Sequence, residues 1–290
     1  MADLQLQLPG LSVGNDPPPQ FLKWIGNKQR FARSISRILP VPAKRYIEPF
    51  VGSGAVLGAV APTEGIAGDA LEPLTDLWTM LQNDPQQILE YYQSTREAYL
   101  RDANSTYNRV LSSYNARPNP LDLLFLSRAC YGGVVRFTKA GAMSTPRGPH
   151  TPIPAEKLSS RMKEWRERTK NTTFLWSDFE DTMGFAGYGD VIYCDPPYTY
   201  TQRILYGAQE FSLARLWSAI ARAKAAGARV ALSLDGSKKS GQVQTQFEIP
   251  EGLFERELHI SCGASMLRRF QKSGENMQGE DVFDRLLLTF

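Results

Sequence analysis

The chain has 290 residues, and its 33 Lys and Arg against 30 Asp and Glu give a formal charge of +3, so any anion-binding face must come from local clustering. With 42% hydrophobic and 22% charged residues the composition is that of an ordinary globular chain, which excludes wholesale disorder and leaves room for one large α/β domain with an insert. No apolar run reaches the ~18–20 residues of a membrane span, and residues 1–10 carry neither the basic start nor the apolar stretch of a signal peptide. Cys130, Cys194 and Cys262 are far apart, with only His150 and His259 beside them, so neither a metal cluster nor a disulfide framework is expected. The expectation is a soluble, cytoplasmic protein with no membrane and no metal partner.

Residues 1–20 end in Asp16-Pro17-Pro18-Pro19, a stiff non-helical stretch that predicts a tail ahead of a fold beginning near Phe21. Phe21 to Lys28 then sets aromatic rings, a glycine and two ammonium groups on one short segment. Two readings fit it: a site for a carboxylate, or an amphipathic opening segment with Trp24 in the core and Lys28 in solvent. Residues 45–54 run from a strand into a glycine turn, and residues 55–61 read as a short helix. Gly65 to Asp69 follows as a second short strand whose last residue is acidic, 17 positions after Gly52. That spacing fits a nucleotide-binding half-fold, in which glycines allow close backbone approach and the carboxylate accepts hydrogen bonds from ribose hydroxyls. Gly52-x-Gly54 lacks the third glycine of the dinucleotide fingerprint, which argues against a pyrophosphate bridge; tight strand-to-helix turns also use such glycines for packing alone.

From Asn83 to about Lys170 strand character disappears, and Asp84-Pro85, Asn119-Pro120 and Pro154 each mark a helix start. A mainly helical insert is predicted. Residues 83–175 hold 14 Lys and Arg against 8 Asp and Glu, a local +6. The stretch 117–150 interleaves Arg117, Arg128, Arg136, Lys139 and Arg147 with Tyr131 and Phe137 among Gly and Pro, as a phosphate-tracking loop region would. Beyond the insert, Asp190 to Asp195 reads as a buried strand that stops at Pro196-Pro197. Ser212 begins a helix closed by Gly227, and residues 228–234, 258–261 and 286–290 return to strand character.

The sharpest local signal is Asp195-Pro196-Pro197-Tyr198 at the C-terminal end of that strand, the edge where open α/β sheets bind ligands. Two fixed φ angles would hold the Pro196 carbonyl and the Asp195 carboxylate as a pair of acceptors beside an aromatic face. Such a pair suits a planar aminated ring, whose exocyclic nitrogen is a poor nucleophile because its lone pair is delocalised. Acceptors bonded to its hydrogens favour a pyramidal nitrogen that can attack, and stacking on Tyr198 would add ~1–3 kcal/mol. The plain alternative is a proline-rich turn with a surface aspartate. Cys194 precedes Asp195 within the strand and should point to the other face, a packing position.

Taken together and in this order, these motifs resemble the Dam-type family of DNA adenine methyltransferases, over most of the chain from Phe21 onward. Phe21-Leu22-Lys23-Trp24-x-Gly26-x-Lys28 is similar to the family's N-terminal cofactor motif, Glu48 to Gly54 to its glycine motif, residues 125–148 to its DNA-reading region, and Asp195 to Tyr198 to its Asp-Pro-Pro-Tyr motif. The resemblance implies an α/β, Rossmann-like class I methyltransferase with a mixed seven-stranded sheet. Residues 21–82 and 171–290 would form the catalytic domain, and residues 83–170 a DNA-recognition insert. It implies S-adenosylmethionine as cofactor, with Trp24 and Lys28 on its methionine part, Asp69 on the ribose, and Phe50, Gly52 and Gly54 lining the pocket. Asp178 and Phe179 would lie against its adenine, although Asp178 also suits a helix N-cap.

Double-stranded DNA is the implied partner, met by Arg128, Arg136, Lys139 and Arg147, and Arg136 suits either a base or a phosphate. The implied reaction is methylation of the amino group of a flipped-out adenine, catalysed by Asp195, Pro196, Pro197 and Tyr198. Cytosine methylation at the corresponding amino group and a non-catalytic DNA-binding relative are the alternatives. A cognate restriction endonuclease is a further partner that such a system can include. Gly132 stands where the family usually has Asn, and Asp69-Ala70-Leu71-Glu72 where it commonly has Asp-x-Asn. The loop 262–280, with Arg268, Arg269 and Lys272, reads as a DNA-contacting hairpin.

Overall fold

A computed structural model describes residues 15–40, 42–197, 211–235, 248–264 and 281–290. Seven strands, β1 (Tyr46–Glu48), β2 (Gly65–Asp69), β3 (Thr172–Trp176), β4 (Val191–Cys194), β5 (Arg229–Asp235), β6 (Arg256–Ala264) and β7 (Asp281–Leu288), form one sheet in the order β3-β2-β1-β4-β5-β7-β6. The pairs from β3 to β5 are parallel, and β7 enters antiparallel between β5 and β6. The sheet is mixed and seven-stranded, as expected. Chain order reverses between β1 and β4, and in open α/β sheets ligands bind at the carboxyl ends of the strands beside such a reversal.

Strand alternation divides the sheet into two faces. Tyr46, Tyr193, Ala231, Leu286 and Leu288 join one core. Ile47, Ile192, Cys194, Val230, Leu232 and Leu287 join the other, against α8 (Phe179–Gly184) and α9 (Leu213–Ala225). Cys194 thus packs on the face opposite its Tyr193 neighbour. The edge strand β3 has no counterpart among the expected strands: of its residues only Thr172 is buried, so no alternation marks it.

On the first face lie α1 (Ala32–Ile38), α2 (Ala55–Val60), α3 (Glu72–Asn83) and the helices of the insert, α4 (Pro85–Arg101), α5 (Ala103–Ala116), α6 (Pro120–Ala129) and α7 (Ala155–Thr169). Asp84 accepts from the Gln87 N–H and Asn119 from the Asp122 N–H, each with a proline in the first turn behind it. Asp102 caps α5 in the same way through the Ser105 N–H and divides what could have been one long helix. Tyr92, Tyr107, Tyr114 and Trp165 share one core with Phe21, Trp78 and the sheet. The insert is therefore packed as an extension of the fold.

The expected tail is a docked strap in its described part. Pro19 O accepts from Trp165 Nε1 at 2.9 Å, Gln20 O from Arg161 at 2.7 Å and from Arg128 at 3.1 Å, and Pro18 O from Gln29 Nε2 at 2.8 Å. An extended proline-rich chain makes no internal hydrogen bonds, so its carbonyls remain available to such donors. Among the described residues no helix is long and apolar enough to cross a membrane, and no group of three or more His, Cys, Asp or Glu is placed to hold a metal ion.

Candidate active site

Four segments expected to carry the site lie at the carboxyl ends of adjacent parallel strands: Phe50 to Gly54 after β1, Asp69 closing β2, Asp178 and Phe179 after β3, and Asp195 after β4. Topology alone brings them to one edge.

The glycine turn is shaped from below by tryptophans. Gly52 and Gly54 have φ of +47° and +66°, and a Cβ would stand 3.2 Å from Trp24 Cδ1 at the first and 3.1 Å from Trp78 Cζ2 at the second. Any larger residue would be strained twice, by conformation and by contact. Gly52 donates its N–H to Asp69 Oδ2 at 3.0 Å and accepts from Trp78 Nε1 at 3.1 Å. Asp69 Oδ1 accepts from the Leu71 N–H at 3.1 Å. Burial pushes the Asp69 carboxyl up to about 6, against the lowering effect of the Gly52, Leu71 and Ala70 N–H groups. Each of its oxygens keeps a second lone pair, so it can still accept from a diol.

Beside this turn, Phe50 stacks on Phe179 with centroids 5.3 Å apart and planes 25° from parallel, and Phe211 meets Phe50 edge-on at 6.0 Å. Asp178 caps α8 through the Glu180 N–H and forms an ion pair with Arg215 at 2.8 Å. The Arg215 guanidinium lies 5.0 Å above the Phe179 ring. Glycine turn, acidic strand end and aromatic wall together fit an adenosine group.

At β4, Pro196 and Pro197 are buried and Asp195 is partly exposed; Tyr198 lies outside the described residues. Lys28 is not in solvent. Only 7% exposed, it places Nζ 3.1 Å from Asp195 Oδ1 and 3.6 Å from Asp284 Oδ2 on β7. Both halves of the apolar-segment reading are thus separated: Trp24 is in the core, whereas Lys28 joins the N-terminal motif to the Asp195 motif. Below them Tyr46 donates its hydroxyl to Glu48. Burial, reinforced by the nearby Asp195 carboxylate, raises the Glu48 carboxyl to about 8, so it holds a proton at neutral pH. Glu48 and Asp284 escaped the sequence reading as site residues. Glu48 left a trace, as an acid in an otherwise apolar, fully buried strand; Asp284 left none, because β7 also carries Asp281 and Arg285.

The family model for D12 class N6 adenine-specific DNA methyltransferases matches residues 24–221. The chain belongs to this family. Similar proteins include the DNA N-6-adenine-methyltransferase of Escherichia phage P1, 32% identical over 61% of this chain and 23% of its own length. The retron Ec67 DNA adenine methylase of Escherichia coli is 29% identical over 62% of this chain and 64% of its length. The Type II methyltransferase M.MjaIII of Methanocaldococcus jannaschii is 30% identical over 61% and 68%. The chain thus spans from under a quarter to about two thirds of the length of these relatives.

Within the D12 match, the residues expected on DNA separate. Residues 136–144 form a small hairpin, with Phe137 bridged to Met143, Thr138 N–H on Ala142 O at 2.8 Å and Gly141 at φ +82° in the turn. Arg136 and Lys139 are exposed on it. Arg147 is half-buried and directed to Asn104 and Tyr99. Arg128 corrects the expectation: it lies on a turn of α6 buried all round, is 5% exposed, and donates to Phe21 O at 2.7 Å. Desolvation lowers its guanidinium to about 10. In this position it fastens the strap and presents nothing to a duplex. Of the expected loop 262–280, residues 262–264 belong to β6 instead, and residues 265–280, with Arg268, Arg269 and Lys272, lie outside the described residues.

Proposed function

We propose that the chain is a site-specific DNA methyltransferase that transfers a methyl group from S-adenosylmethionine to the exocyclic amino group of an adenine turned out of duplex DNA. One observation carries this reading: Asp195 and the buried Pro196-Pro197 stand at the carboxyl end of β4, beside the strand that leads into the glycine turn. When bound, the cofactor supplies an electrophilic methyl group on a sulfonium. The chain's own residues do the rest. Gly52 and Gly54 leave room for it, Asp69 accepts from its ribose, and Phe50 and Phe179 border its base.

Asp195 and the Pro196 carbonyl accept the amino hydrogens, hold the nitrogen in line with the methyl group, and favour the pyramidal form that attacks. No covalent bond to the enzyme is required. Extruding the base costs a few kcal/mol, which stacking and phosphate contacts offset, with Arg136 and Lys139 as the first candidates for the latter. A cognate restriction endonuclease is a further partner of this reading, and a duplex DNA substrate would put the reaction in the cytoplasm. The test is incubation of the purified protein with labelled cofactor and duplex DNA. Label in N6-methyladenine is expected, and label in N4-methylcytosine, or none, rejects the reading.

A further inference from the structure

The register of β7 sets Asp284 opposite Asp235 on β5 and Ile260 on β6. A residue near the end of the chain is thereby carried to the catalytic edge, well outside the stretch that matches the family. Asp284 is buried, and it shares the buried Lys28 ammonium with Asp195, at 3.6 Å against 3.1 Å. All three groups also make contacts beyond these two.

Sharing has an electrostatic consequence. In the proposed transfer the amino nitrogen's lone pair forms the N–C bond while the C–S pair leaves with sulfur. The sulfonium becomes a neutral thioether, and the cationic nitrogen then loses one proton to water. Positive charge therefore moves onto the nitrogen, and a carboxylate beside it lowers the barrier. Lys28 and Asp195 alone sum to zero, which would cancel much of that effect; with Asp284 the three carry −1. Tyr193 and Glu48 also face the group, and Glu48 holds its proton near neutrality, so it adds no charge.

We propose, on the basis of the methyltransferase reading, that Asp284 is a positioning residue for methyl transfer: it balances Lys28 so that Asp195 keeps its negative charge toward the attacking nitrogen. The test is steady-state kinetics on the full chain at saturating cofactor, with Asp284→Asn made in the native and in the Lys28→Met background. In the native background kcat should fall ~10-fold or more with cofactor affinity held within about twofold. In the Lys28→Met background the same change should not lower kcat, because without the ammonium two neighbouring buried carboxylates oppose each other's ionisation and Asp284 no longer supports the charge on Asp195.

Equal losses in both backgrounds, or none in the native one, would overturn the proposal. If Asp284→Asn fails to fold, the double variant gives the answer against Lys28→Met alone, since a purely structural aspartate predicts a further loss there. A native chain that transfers no methyl group to DNA rejects the underlying reading, whereas an active chain indifferent to Asp284→Asn rejects only this inference.

Discussion

At the carboxyl edge of the sheet, Asp69, Asp178 and Asp195 each close or follow a parallel strand. In the insert, Arg128, Arg136 and Arg147 lie on a buried helix, an exposed hairpin and a half-buried bridge respectively. The strand ends converge because parallel topology leaves their loops one place to go. Charges on helices and hairpins have no such constraint, and tertiary packing decides whether each meets solvent or the chain's own carbonyls. Clustering of positive charge in a sequence therefore measures a binding face poorly when arginines can also act as internal ties.

The largest expected effect lies at the edge. Asp195→Ala should reduce methyl transfer by ~10²–10³-fold or more while cofactor affinity, measured by calorimetry, is mostly kept. Full activity in that variant would remove the edge from the comparison. Gly52→Val should come next, weakening cofactor binding by at least ~10-fold, because the side chain would need a left-handed backbone and would meet Trp24.

The two arginines sharpen the contrast directly. Arg128→Ala should lower unfolding stability by ~1–3 kcal/mol in a denaturant titration, since it strips the buried Phe21 carbonyl of its donor, whereas Gln20 O keeps Arg161. Arg136→Ala should leave stability unchanged and instead weaken duplex binding by ~10-fold, or reduce its salt dependence. Interchanged outcomes would reverse the assignment of tie and contact.

The last expected effect is one of pH and concerns Glu48, whose carboxyl is raised from 4.5 to about 8 by burial. A raised acid contributes stability in full below its unfolded value and loses it as pH rises through the folded one. The native chain should thus lose melting temperature relative to Glu48→Gln between pH 5 and 8, with the difference level above about 9. Parallel melting curves across that range would show that Glu48 carries no such burden.

Local chemistry explains what could be read in advance. Proline and glycine dictate backbone where they stand, so the turn at Gly52 and the stop at Pro196 were legible, as were the capped starts at Asp84 and Asn119. Asp102 carries no proline behind it and passed unnoticed as a cap. The strap at residues 15–20 read as a tail because its partners, Trp165 and Arg161, lie more than a hundred residues away. Lys28 was ambiguous for the same reason: its partners come from β7 and the loop after β4, and only the sheet order brings them together.

The most direct test of the central claim is nucleoside analysis of duplex DNA modified by the purified protein, in parallel with Asp195→Ala. N6-methyladenine from the native chain and none from the variant is the predicted result. Methylation that persists without the Asp195 carboxylate, or that falls on cytosine, would contradict it.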